Sequence, residues 1–213
     1  MARARTMLVA VSQKETSNTR PYRMGARAKA AAKTGERILD AAEEVFDERP
    51  IDEFTLAQVA ERAGVTVQTV LRRFRSRKGL IAATLVHVGV KMGRSRGTPL
   101  EGDPGAAIDG LVDHYDRFGS RILRLLAEEE RHKTLHAMTD MGRAYHRNWC
   151  EEAFARALDG LRGVDRERRV AQFVAVTDIY VWKLLRRDRG LSGRQTKLAM
   201  RELLEPLIER RKK

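Results

Sequence analysis

The sequence predicts an all-α protein: an N-terminal three-helix head with a helix-turn-helix, then a larger C-terminal helical bundle. Three observations carry this. Residues 55–78, TLAQVAERAGVTVQTVLRRFRSRK, hold two short amphipathic segments joined at Gly64, and a burst of positive charge follows. Apolar residues recur at helical spacing along most of the chain, and no stretch alternates as a strand would. Glycine, proline and short polar residues mark the breaks, with no internal repeat.

The elements follow in order. Residues 1–33 carry eight basic residues against Glu15 alone and little apolar surface, which reads as a basic flexible arm. Such an arm either follows a DNA backbone or minor groove or stays a solvated tail. A first helix is expected over 34–48, capped by Thr34, with Ile38, Ala41, Ala42, Val45 and Phe46 on one stripe; Arg49-Pro50 ends it. Thr55 caps a second helix, with Gln58 completing a capping box and Leu56, Val59, Ala60 and Ala63 facing inward. Gly64 supplies the turn, because glycine reaches positive φ without strain. Thr66 caps a third helix ending near Phe74, and Ser76 caps a fourth over about 78–92. Residues 93–105, GRSRGTPLEGDPG, read as a linker. Beyond it, helices are expected over roughly 105–118, 120–137, 141–160, 166–188 and 193–211, with breaks near Gly119, 138–142, 160–165 and 190–193. The head then occupies 34–81 and the body 82–213.

Composition narrows the function. Among 213 residues, 42 Lys and Arg against 29 Asp and Glu give a formal net charge of +13, which favours a polyanionic partner, nucleic acid before membrane. Cys150 is the only cysteine, so no disulfide forms within the chain, as suits a reducing cytoplasm. Residues 7–11 are too short for a signal-peptide core, and the longest apolar stretch, 170–185, contains Gln172, Asp178 and Lys183. A cytoplasmic protein without membrane association is expected.

The third helix divides into faces. Val70 and Phe74 lie four apart and point inward, while Gln68 with Arg72, and Thr69 with Arg73, form stripes on the other side. A recognition helix needs this division between residues that anchor it and residues that reach base edges. Arg72, Arg73, Arg75, Arg77 and Lys78 crowd within seven positions without an acid, which suits phosphates.

ILDAAEEVF followed by TLAQVAERAGVTVQTVLRRFRSRKGL resembles the DNA-binding domain of TetR-type bacterial transcriptional regulators. Ala60, Gly64 and Val70 sit at the helix-turn-helix spacing, and Phe74, Ser76, Arg77 and Leu80 match the motif that closes the domain. The resemblance implies base contacts for Val67, Gln68 and Thr69 beside the cap Thr66, a phosphate contact for Arg77 next to Lys78, and a backbone contact near Thr55. Leu71 departs from the family, which usually places a phosphate-binding tyrosine there; Arg72 or Arg73 would have to supply that contact.

Residues 105–213 resemble the family's helical C-terminal half in length and position. The resemblance implies a homodimer on double-stranded operator DNA, joined through the last two helices, with heads about 34–36 Å apart for successive major grooves. It also implies a small-molecule effector in the bundle, giving a repressor released by an apolar or amphipathic ligand. Candidate pocket residues are Tyr115, Phe118, Met138, Met141, Trp149, Phe173, Thr177, Tyr180 and Trp182, each also read as plain core or dimer packing. Asp178, amid apolar residues, fixes either a ligand's polar group or an internal partner.

Two rival functions stand beside this one. A DNA-binding protein without ligand response, architectural or partner-controlled, has the same head. A metal-dependent helical enzyme would use His132 and His136 with Glu128 and Glu129, although no HExxH pattern occurs and the segment reads as solvated. Cys150 has no obvious basic partner in sequence and reads as a buried structural thiol. With no phosphate-binding glycine loop, no cofactor and no metal are expected.

Overall fold

Alanine-rich sequence and well-placed caps set the helices that the structure, a computed structural model, describes over residues 19–96 and 103–209. Among these residues every regular element is helical: α1 (Thr19–Glu48), α2 (Leu56–Arg62), α3 (Val67–Phe74), α4 (Arg77–Arg96), α5 (Pro104–Glu128), α6 (Lys133–Ala153), α7 (Ala155–Leu158), α8 (Gly163–Val176), α9 (Ile179–Lys183) and α10 (Gly193–Ile208). Single 3-10 turns lie at 51–53 and 129–131, and a π turn at 184–188 follows α9.

Two apolar cores form. The head core gathers Ile38, Ala42, Val45 and Phe46 of α1, Val59 and Ala60 of α2, Val70 of α3, and Leu80, Ile81 and Leu85 of α4. Leu125 from the end of α5 and Leu135 from the start of α6 are buried in that same core. The body core lies among α5, α6, α8, α9 and α10, around Leu111, Tyr115, Trp149, Phe154, Phe173, Trp182, Met200 and Leu204. Helix α4 runs unbroken across the 81/82 boundary and belongs to both halves.

Several expected boundaries are corrected. Thr34 is no cap: its hydroxyl donates to the Ala30 carbonyl at 2.9 Å, inside a helix that begins fifteen residues earlier. Ala28, Ala30, Ala31 and Ala32 are the strongest helix formers, and their propensity outweighs the low hydrophobicity that suggested a flexible arm over 19–33. The rest of that proposed arm, residues 1–18, lies outside the described residues. The linker is shorter than expected. Residues 93–96 complete α4, 97–102 lie outside the described residues, and Asp103 caps α5 by accepting from the Ala106 N–H at 2.9 Å.

Gly119 does not break α5. It is buried, and an added Cβ would come within 2.5 Å of the Trp182 ring, so its missing side chain lets an indole lie against the helix. Residues 138–142 likewise continue α6; the break falls at 129–132 instead. The expected helix over 166–188 is in three pieces. Asp178 starts a new helix there, its carboxylate accepting from the Tyr180 N–H at 2.9 Å. That cap answers the question posed by a lone carboxylate in apolar sequence: a backbone N–H holds it.

Candidate nucleic-acid interface

The capping box of α2 forms as the sequence predicts: Gln58 N–H donates to Thr55 Oγ1 at 3.3 Å, and Thr55 N–H to Gln58 Oε1 at 2.9 Å. Gly64 takes φ +60, and the chain turns back as the Val65 N–H donates to the Ala60 carbonyl at 2.9 Å. Thr66 then caps α3, accepting from the Thr69 N–H at 3.2 Å. The Thr66 and Thr69 hydroxyls also meet at 3.0 Å. Val70 is fully buried and Phe74 packs half-buried on the head core. Opposite them Val67, Gln68, Arg72 and Arg73 are exposed, with Thr69 and Leu71 half-buried. The expected division of faces therefore holds.

Two arginines are placed differently from expectation. Arg73 is exposed, but its guanidinium lies over α1, where a Cβ on Gly35 would come within 2.2 Å of its Nε. Arg77, read from sequence as a phosphate ligand, is exposed and also bonds within the head. Its Nε donates to the Phe54 carbonyl at 2.6 Å and its Nη2 to the carbonyls of Ile51 and Asp52. Three carbonyls at the end of the 51–54 turn form an acceptor cluster that a guanidinium fork fits, so Arg77 ties the start of α4 to the start of α2. Lys78 remains exposed beside it. Ser76 caps α4 as expected, accepting from the Gly79 N–H at 3.0 Å.

Between α3 and α4 the backbone is strained. Arg75 has φ +66, and the Ser76 N–H donates to the Phe74 carbonyl at 2.8 Å across it. This is the γ-turn hand that non-glycine residues rarely adopt. Arg75→Gly is expected to raise the unfolding free energy by about 1 kcal/mol, read by urea denaturation. Arg75→Ala, which loses the same charge but keeps the Cβ, should show no such gain; equal gains in both would assign the effect to charge.

Ion pairs bind this head to the body. Arg121 of α5 donates to Glu43 at 2.7 Å and to both carboxylate oxygens of Asp47, and Arg124 reaches Asp47 at 3.1 Å. Lys91 of α4 meets Asp40 at 2.8 Å and Glu43 at 2.7 Å, with the His87 ring 3.0 Å from Asp40. The Glu128 carboxylate accepts from the Ile51 N–H at 3.1 Å.

The four residues of the conceivable metal site disperse. Glu128 is held by Ile51, Glu129 pairs with Arg143, His132 faces Asp52 at 3.4 Å, and His136 faces Asp140 at 3.3 Å. Cys150 is fully buried, and burial pushes its thiol up to about 11, which leaves no thiolate near neutrality. It does have a histidine neighbour that the sequence reading missed: His146, one turn earlier on α6, at 3.9 Å. Thr177 Oγ1 lies 3.3 Å from the thiol and 3.1 Å from His146 Nε2.

The bundle candidates separate into groups. Tyr115, Trp149, Phe173, Thr177 and Trp182 are buried together in the body core, where Tyr115 donates to the Thr177 carbonyl at 3.0 Å and its ring lies tilted, 5.9 Å from that of Trp182. Phe118 is half-buried beside His114, their rings 5.3 Å apart. Met138 belongs to the head core, while Met141 and Tyr180 face outward at 68% and 57% exposure. Asp178 is a cap. An apolar cavity of the body, about 220 Å³, is lined by Pro104, the 152–157 segment and Ile208, none of which was a candidate.

Capped helices, a glycine turn and an outward polar face on α3 define a helix-turn-helix protein. The comparisons with known proteins agree. Residues 38–84 match the family described as bacterial regulatory proteins, tetR family. Over 78 residues the chain is 38% identical to an uncharacterized HTH-type transcriptional regulator of Mycobacterium bovis, an alignment covering 36% of this chain and 40% of that relative. The chain thus spans about two fifths of the length of the curated relatives it matches. A TetR transcription regulator from Haloarcula marismortui superposes with a TM-score of 0.64 over 82% of this chain and 98% of its own, at 15% identity. A transcriptional regulator from a Rhodococcus species does so with 0.63 over 81% and 95%, at 16% identity. Residues 38–84 are thus similar to the N-terminal domain of the tetR family of bacterial regulatory proteins, and the whole described chain has the fold of such regulators.

Proposed function

We propose that the protein is a homodimeric, sequence-specific DNA-binding transcriptional regulator, a repressor released from its operator when a small molecule occupies the helical body. The observation that carries the DNA reading is the exposed Gln68 and Arg72 on a capped helix whose opposite face is buried through Val70. Gln68 would read base edges, and Arg72 with Lys78 would hold phosphates. Dimerisation is supported by apolar side chains exposed on adjoining helices: Leu184 after α9 and Leu198 and Leu203 on α10, each about half exposed. Coupling is supported by α4, which is continuous from Arg77 in the head to Arg96 in the body, and by the Arg121 pairs to α1. A coupling of about 1–3 kcal/mol would change DNA affinity roughly 5- to 150-fold.

An operator selected from a random duplex pool tests this by fluorescence anisotropy. Gln68→Ala is expected to change which bases are preferred at its contact position, at a cost of about 1–3 kcal/mol on the selected site. Lys78→Ala should weaken all duplexes alike and reduce the salt slope by about 1. A Gln68→Ala variant that weakened every duplex equally would overturn the assignment of the reading face.

A further inference from the structure

Among the described residues, one guanidinium of the body has no acid beside it. Arg96, the last residue of α4, lies with its Cζ 4.4 Å from the Trp149 ring centroid and 5.5 Å from that of Tyr145, and its Nη2 donates to His146 Nδ1. Tyr145 and Trp149 are one turn apart on α6. Among the described residues no carboxylate pairs with Arg96, whereas Arg121, Arg143 and Arg147 each have one within 3 Å. Its Nε is buried without a hydrogen-bond partner. A second unpartnered atom is nearby: Nδ1 of His114, a side chain only 5% exposed.

Withdrawing a cation from water without a counter-charge is costly, and an arriving anion removes that cost. The surroundings specify which anion. His146 is neutral by its bonding: Nδ1 accepts from Arg96, so the proton sits on Nε2, beside Thr177 Oγ1. Burial holds His114 at about 4, so it too is uncharged near neutrality. Arg96 set against the Trp149 and Tyr145 rings, with the charge of Arg117 also reaching His114, makes a positive, aromatic-walled place that suits a carboxylate on an apolar body. Trp149 is buried, Tyr145 is 44% exposed and Arg96 itself is half-buried, so the place is open to solvent from the Tyr145 side.

We propose that Arg96 anchors the carboxylate of an apolar organic acid, with His114 as the neighbouring polar contact, and that this acid is the effector. The inference rests on the regulator reading above and names its ligand class. Arg96 closes the helix whose other end begins the head, so a carboxylate drawn to it would act directly on α4.

The test uses the full chain without DNA. Benzoate and octanoate are titrated by calorimetry and by tryptophan emission, which Trp149 should report, against benzamide and octanamide. At least one acid is expected to bind, with its amide at least tenfold weaker. Arg96→Gln should lose the same tenfold while melting no lower than the parent, because an unpaired buried charge is removed. If Arg96→Gln fails to fold, Arg96→Lys, which keeps the charge but not the fork, takes its place with the same expected loss. Equal binding of acid and amide, no binding of either acid, or full acid affinity in a folded Arg96 variant would overturn the proposal. Where acid binding requires Arg96, affinity for the selected duplex is then measured by anisotropy with and without the acid; an unchanged affinity would refute ligand-controlled regulation and leave the binding site standing.

Discussion

Gly119→Leu is expected to lower the unfolding free energy by about 3 kcal/mol, the upper range for forcing extra methylenes into a packed interior. The reason is local. A Cβ on Gly119 would lie 2.5 Å from two ring atoms of Trp182. The indole cannot retreat, being 1% exposed, with its Nε1–H donating to Asp116 at 3.0 Å and Arg187 over its face at 4.9 Å. A smaller change separates the causes. Gly119→Ala adds a clash but gains about 1 kcal/mol of helix propensity. It should destabilise in the parent and stabilise in a Trp182→Phe background, where the six-membered ring edge is gone. Urea unfolding of the four proteins gives the coupling. Additive effects would show that the two residues do not compete for the same space.

Acid is expected to destabilise the fold well above the range where carboxylates protonate. His114 is held at about 4 and His146 at about 3, in both cases mainly by burial and further by the charge of Arg96. The unfolded chain takes up these protons near 6.5, and the folded chain does not. Stability is therefore fully present above pH 6.5 and falls as pH drops from 6.5 toward 4 and 3. Each histidine removes about 1.4 kcal/mol per pH unit, roughly 4 kcal/mol for the pair by pH 5. Asp40, Glu48 and Glu129, lowered chiefly by hydrogen bonds to Lys91, Arg62 and Arg143 respectively, lose their contributions only at lower pH. Unfolding midpoints at pH 7.5, 6 and 5 measure the slope, and His146→Gln should halve it. A midpoint unchanged between pH 7.5 and 5 would mean that these rings are not buried neutral.

The head was largely legible in the sequence because its determinants are local. Thr55 with Gln58, Gly64 and Thr66 each fix a dihedral or a cap within four residues, and the structure places them as read. The corrections come from contacts at long range. Gly119 looks like a helix breaker until Trp182, sixty-three residues away, occupies the space its side chain would take. The bonds of Arg77 to the carbonyls of the 51–54 turn, more than twenty residues away, leave no trace in the local sequence. Thr34 looks like a cap because upstream hydrophobicity is low, yet helix propensity alone carries α1 past it. Arg96 gave no signal at all, lying in a glycine-rich stretch that reads as linker. His114 and His146 did leave one: each has apolar residues at helical spacing, Leu111 and Phe118 for the first, Trp149 and Cys150 for the second.

Leu125 and Leu135, supplied by the body, complete the core beneath the reading helices. Heat therefore has no route to dissolve the bundle while sparing the head, and a single calorimetric transition is implied rather than two. A fragment ending near residue 81 would leave its underside open to water. Whatever loosens the tips of α5 and α6 reaches the helix-turn-helix end at once, without any hinge between them.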